Sequence, residues 1–292
     1  MCLSSCRQRK LYTRFQLPPK ALKPLSTIKR LWQLRCTLNI RACYCIFVLL
    51  AMILPARATE GVVLLHGLCR TTASMNKLER ALTSAGYYVE NTDYPSRTAS
   101  IEKLSDDAIG RALADPKMQA CARIHFVTHS LGGILVRSYF KRHDPGKLGR
   151  VVMLGPPNQG SEVVDNLKNW WLFRKLNGPA GGELGTDPAS TPNKLGPVNF
   201  ELGVIAGDRS INWINSMMIK GKNDGKVSVE RTKVDGMKAL LVVHVAHPFL
   251  MTNRGVIEST LHFLKYGDFD RIDGINRIGE KGAEIRRFSA AD

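Results

Sequence analysis

The feature that most restricts the fold is an alternation that begins near residue 60. Short apolar runs of strand type are separated by segments whose apolar residues recur at helical spacing. Residues 61–65 (GVVLL) form an unbroken apolar run, the mark of a strand covered on both faces. Residues 72–85 follow with Met75, Leu78, Leu82 and Ala85 on one helical face and Gly86 as a stop. The pattern then predicts a strand over 87–92 and a helix capped by Ser100, with Ile101, Leu104, Ala108 and Ala112 inward. A strand over 124–128 and a helix over 131–141 come next. Further strands are expected at 151–154, 203–206 and 240–245, and an amphipathic helix at 252–265. Alternation of this kind specifies an α/β fold: a mostly parallel sheet with helices on both faces.

Two stretches depart from the alternation. Residues 161–200 cluster Trp170, Trp171, Leu172 and Phe173 and then turn to Gly, Pro, Asn and Thr. A structureless insertion of that length is usually functional, so this one is a candidate lid or acyl-binding wall, with core packing as the alternative for its aromatic cluster. Residues 266–292 are charged, contain glycine and lack periodicity, and are expected to be peripheral. The folded domain is thus placed at 59–265.

The formal charge of +17 is unevenly distributed. Residues 1–58 hold eleven of the 42 basic residues and no acidic one, which leaves 31 against 25 acidic residues elsewhere. The domain is nearly balanced, which argues against nucleic acid as a partner. The basic stretch leads into the apolar run 43–54, then Pro55 and Ala56-Arg57-Ala58. A positive region, an apolar run of about 7–15 residues and an A-x-A site describe a secretory signal. The alternative is a retained basic anchor that associates with a membrane. Export to the periplasm or medium is the expected localisation.

Five of seven cysteines precede residue 59, leaving Cys69 and Cys121. Cys69 follows the end of one strand and Cys121 precedes the start of its parallel neighbour. That puts their Cα atoms roughly 15–20 Å apart, beyond disulfide reach. Nothing around Cys69 suggests thiolate activation.

The chemistry is expected at strand ends. Thr128-His129-Ser130-Leu131-Gly132-Gly133 joins a strand to a helix, the context of a nucleophile elbow of pattern G-x-S-x-G, with Thr128 in place of the first glycine. Leu65-His66-Gly67-Leu68 ends the first strand. Its loop is suited to give one backbone N–H to an oxyanion, at Leu68, with the second at Leu131. Gly67 is expected to turn the backbone there, and His66 to order the loop. Of seven histidines, His125 and His129 flank the elbow strand too closely. His143 and His262 fall on helices and His244 within the last strand. His247 follows that strand, where a loop can bring it to Ser130. The acid is Asp224, in the turn Asn223-Asp224-Gly225, or its rival Asp208, directly after the 203–206 strand. Residues 155–161 (GPPNQGS) follow the 151 strand and are expected to shape the pocket.

The order Ser130, Asp224, His247 is the Ser…Asp…His order of α/β-hydrolases. The segments VVLLHGLCR, HFVTHSLGGILVRSYF, VVMLGPPNQGSEV, NDGKV and AHPFLM resemble the lipase and esterase group of that superfamily in type and order, over about residues 60–265. The resemblance implies a minimal α/β-hydrolase lacking the usual leading antiparallel strands. It also implies a serine esterase with Ser130 as nucleophile, His247 as general base, Asp224 as its orienting acid, and Leu68 and Leu131 as backbone donors. The substrate would be a small-molecule or lipid ester. Acyl transfer, or thioester or amide cleavage, would use the same triad, and from another class stands a non-catalytic tethered binding module. No cofactor is implied, and no His/Cys cluster has zinc spacing.

Overall fold

The computed structural model describes residues 59–269 and 284–287. The predicted signal or anchor segment at 1–58 lies outside the described residues. Among those described, seven strands build one sheet: β1 (Glu60–Leu65), β2 (Tyr88–Thr92), β3 (Arg123–His129), β4 (Leu148–Leu154), β5 (Leu202–Gly207), β6 (Ala239–Val243) and β7 (Glu284–Arg287). Their order is β2-β1-β3-β4-β5-β6-β7. The first six are parallel, and β7 joins β6 antiparallel.

The apolar runs are buried on both faces because successive residues of a strand point to opposite sides. Val63, Leu65, Phe126, Met153, Val204 and Leu240 contribute to one core. Val62, Leu64, Val152, Leu154, Ile205 and Leu241 contribute to the other. Helix α1 (Asn76–Ser84) follows a short 3-10 turn over Thr72–Met75. It covers the second core, with Leu78 and Leu82. α2 (Ile101–Ala114) begins where the Ser100 side chain accepts from Lys103 N–H, as its capping position predicts. The short α3 (Pro116–Ala120) is capped likewise by Asp115. α4 (Leu131–Arg142) packs beside α2 on the first core through Ile134 and Leu135.

The insertion at 161–200 is not structureless. It forms α5 (Glu162–Leu167), α6 (Trp171–Gly182) and α7 (Thr191–Lys194), with α6 kinked at Gly178 beside Pro179. Its aromatic cluster is not core as a whole: Trp170 is 53% and Trp171 66% exposed. α8 (Trp213–Met218) follows β5, and α9 (Arg254–Tyr266) closes the second core with Val256, Phe263 and Leu264. The tail, expected to be peripheral and without periodicity, supplies the edge strand β7. Cys69 and Cys121 are free thiols, in line with the strand geometry.

Candidate active site

Ser130 stands between β3 and α4 with φ 53° and ψ −117°. Only two non-glycine residues with positive φ occur among those described, and Cys69 is the other. A non-glycine residue in that region costs on the order of 1–3 kcal/mol and persists only where its surroundings enforce it. They do so here: Ser130 N–H donates to Leu154 O at 2.9 Å, and the helix begins at once. Gly132 and Gly133 permit the approach. A Cβ on Gly132 would lie 2.7 Å from Leu65 O, and one on Gly133 3.0 Å from Met153 Sδ. Thr128, where the elbow pattern has glycine, is a fully buried strand residue opposite Leu65 and Met153.

His247 and Asp224 meet at the same rim. The His247 imidazole and the Asp224 carboxylate are joined Nδ1 to Oδ2 at 2.7 Å, and His247 N–H donates to Asp224 O at 3.0 Å. The other carboxylate oxygen, Oδ1, accepts from Lys226 and Val227 N–H, both at 2.9 Å. Asp224 is thus buried and fully partnered, as a buried anion must be. Asp208, the rival, bonds His244 Nδ1 at 2.9 Å and lies 3.9 Å from Lys222 Nζ. His244, expected inside the last strand, sits just beyond it.

Ser130 and His247 line one cavity of about 330 Å³, together with Leu68, Val163, Phe173 and Val227. Among the described residues no hydrogen bond joins the Ser130 hydroxyl to His247, a looseness common in unliganded sites. The loop after β1 turns at Cys69, with φ 57°, not at Gly67 as the sequence suggests. Gly67 serves closeness instead, because a Cβ there would lie 2.7 Å from His129 Nδ1 and 3.2 Å from Ser130 Cβ. Leu68 N–H has no hydrogen-bond partner among the described residues. Leu131, as the first helical residue, has none within its helix. Both N–H groups remain open to an anion. His66 orders this loop: it stacks on Tyr94 at 4.1 Å, and its Nδ1 lies 2.9 Å from Gly67 O. Tyr94 OH donates to His66 O. Pro157 and Ser161 bring the 155–161 loop to the cavity wall, as predicted.

The family model of the palmitoyl protein thioesterase matches residues 61–187. A Bacillus licheniformis lipase in mature form superposes with a TM-score of 0.54 at 18% identity, over 73% of this chain and 94% of that one. The chain has an α/β-hydrolase fold. A Pyrococcus furiosus esterase gives a TM-score of 0.51 at 19% identity, over 72% of this chain and 82% of the esterase. A Legionella pneumophila phospholipase gives 0.50 at 19%, over 63% and 47% respectively. No curated protein sequence matches.

Three residues gain structural roles that the sequence did not disclose. His129 is buried against His247 with ring centroids 4.7 Å apart, and its Nε2–H donates to His247 O at 3.1 Å. Burial first, and then the neighbouring His247, hold its pKa well below the ordinary histidine value, so it stays neutral. Gly155, with φ 55°, passes so near the pair that a Cβ would lie 3.0 Å from both Asp224 Oδ2 and His247 Nδ1. Arg137 is buried, with no carboxylate partner among the described residues. It donates instead to Asn158 O and Oδ1, Pro192 O and Gly196 O, which ties the insertion to α4. Burial lowers its pKa to about 10, still charged at neutral pH.

Proposed function

We propose that the chain is a serine hydrolase that cleaves carboxylic esters through an acyl-enzyme on Ser130. The observation that carries this reading is the buried Asp224–His247 pair, 2.7 Å apart, on the wall of the cavity that holds the strained Ser130. His247 Nε2 takes the hydroxyl proton as Ser130 attacks the carbonyl carbon. Asp224 accepts from Nδ1–H, which fixes the tautomer that leaves Nε2 free as base. Leu68 and Leu131 N–H receive the oxyanion, each contributing about 10²–10³ in rate. His247 then protonates the leaving alcohol, and water activated by the same imidazole releases the acid. The apolar wall of Leu68, Val163, Phe173 and Val227 suits an acyl chain, so the substrate class is a small-molecule or lipid ester.

Thioester cleavage is a second reading, favoured by the match to the palmitoyl protein thioesterase family over residues 61–187. It uses the same groups: the sulfur leaves as a thiolate and then takes up the Ser130 proton from His247, which restores the neutral base that deacylation needs. Ser130→Ala is expected to retain the native circular dichroism spectrum and lose at least roughly 10⁴-fold in turnover of short-chain nitrophenyl esters, along with labelling by a fluorophosphonate. Undiminished turnover would refute the assignment. Ester and thioester of the same acyl chain, assayed together, rank the two readings.

A further inference from the structure

Nine large hydrophobic side chains are exposed among the described residues. Trp170, Trp171, Leu176 and Phe249 lie on or beside segments that line the catalytic cavity, and Ile211, Trp213, Ile214 and Met217 lie on or beside α8, which packs against α5, whose Val163 and Val164 line it. Trp170 and Trp171 open α6, whose Phe173 and Asn177 line the cavity. On α8, Trp213 is 71% and Met217 77% exposed, with Ile214 beside them. The inner side of α8 is occupied by the acid loop: Asn215 Nδ2 donates to Gly225 O at 3.1 Å and Ser216 Oγ to Asn223 Oδ1 at 3.0 Å. The apolar side chains are therefore left outward by construction. Phe249 adds a further exposed ring in the 3-10 turn that begins at His247. Exposed apolar area of this extent around one site marks an interaction surface.

Charge selects the occupant. Residues 166–182 and 209–222 contain Lys168, Arg174, Lys175, Arg209, Lys220 and Lys222 and not one Asp or Glu. Lys168 lies 3.6 Å from Asp165 and Lys222 3.9 Å from Asp208. Arg174, Lys175, Arg209 and Lys220 have no ion pair among the described residues. Large apolar side chains interleaved with unpaired cations form the pattern of an element lying in a membrane interface. We propose that this face docks on an anionic lipid surface, with α8 and the first turn of α6 among the headgroups and the cavity mouth toward the bilayer. That an acyl chain then enters the cavity from the lipid rests on the serine-hydrolase reading; the docking does not.

The test uses the full chain carrying Trp32→Phe, so that the remaining tryptophans, Trp170, Trp171 and Trp213, all lie on this face. Vesicles of brominated phosphatidylglycerol are expected to quench and blue-shift their emission, and brominated phosphatidylcholine vesicles to do so far less. Arg209→Glu/Lys220→Glu should weaken association with the anionic vesicles by roughly tenfold or more. Ile214→Ser/Met217→Ser should abolish most quenching, while both double variants turn over a dissolved short-chain ester as before. Binding to vesicles with unquenched tryptophan would mean that residues 1–58 alone hold the membrane, and would overturn the proposal. Equal quenching by both lipids, or tryptophan shielded by concentration-dependent dimerisation without vesicles, would overturn it as well. Ser130→Ala should dock like the parent. If it does and the parent cleaves no ester, the docking stands and the hydrolase reading falls.

Discussion

Two Asp–His pairs form at the carboxyl ends of β5 and β6, from the same chemical groups. Asp208 and His244 meet at 2.9 Å, with the histidine side chain 54% exposed. Asp224 and His247 meet at 2.7 Å, with the side chains 0% and 9% exposed. An exposed ion pair is screened and contributes between nothing and about 1 kcal/mol. The buried pair sits where charge is weakly screened, held by two backbone N–H groups, with His247 on the wall of the cavity that Ser130 also lines. The difference teaches that a carboxylate and an imidazole at a strand end can meet in two quite different environments. Desolvation, fixed orientation and a neighbouring space for substrate make the distinction.

That distinction can be broken by substitution. The largest contrast is expected between Asp224→Asn, which should lower kcat/KM by about 10³–10⁴-fold through the wrong imidazole tautomer, and Asp208→Asn, which should stay within about twofold of the parent. Equal losses would erase the contrast between the pairs. Gly155→Ala comes next. Its Cβ would crowd both Asp224 Oδ2 and His247 Nδ1 at a positive φ, so a loss of roughly tenfold or more in kcat is expected. An ester assay with unchanged kcat would show that the buried pair tolerates displacement. In urea denaturation, Ser130→Gly should be more stable than Ser130→Ala by about 1 kcal/mol, because glycine relieves the positive φ. A reversed ranking would mean the elbow is not strained.

The effect of pH on stability is the gentlest. Burial lowers the pKa of His129, His66 and His125 in the folded chain. Below the unfolded value of about 6.5 the unfolded chain therefore binds more protons, and stability falls as pH drops through that point. Above it the contribution is complete and flat. Thermal melts from pH 8 to pH 5 should show this slope, and His129→Gln should make it shallower. A melt that did not change with pH would contradict the burial of these rings.

The sequence carried the fold because parallel strands need crossovers, and the crossovers write helical spacing between apolar runs. It carried Ser130 because a tight strand-to-helix turn admits only small neighbours, as Gly132 and Gly133 record. It left Asp224 and Asp208 open, since both follow strand ends and local pattern holds no account of which histidine each will face. It excluded His129 as too close to the elbow along the chain, and the structure packs that ring, tilted, against His247, which lies 118 residues on. The helices of the insertion escaped notice because glycine and proline break their periodicity, as the kink at Gly178 shows. Strand β7 escaped because the charged run EIRR lacks the alternation of a strand with one covered face.

By itself, then, the sequence determined the parallel α/β architecture and the serine at its elbow. Both are consequences of short-range geometry: the two-residue period of a strand, the helical period between strands, and the small residues that a tight turn demands. The tertiary structure alone decided which aspartate meets which histidine and which large apolar side chains stay uncovered. Those outcomes depend on contacts between segments far apart in the chain, and on how completely packing excludes water from each of them.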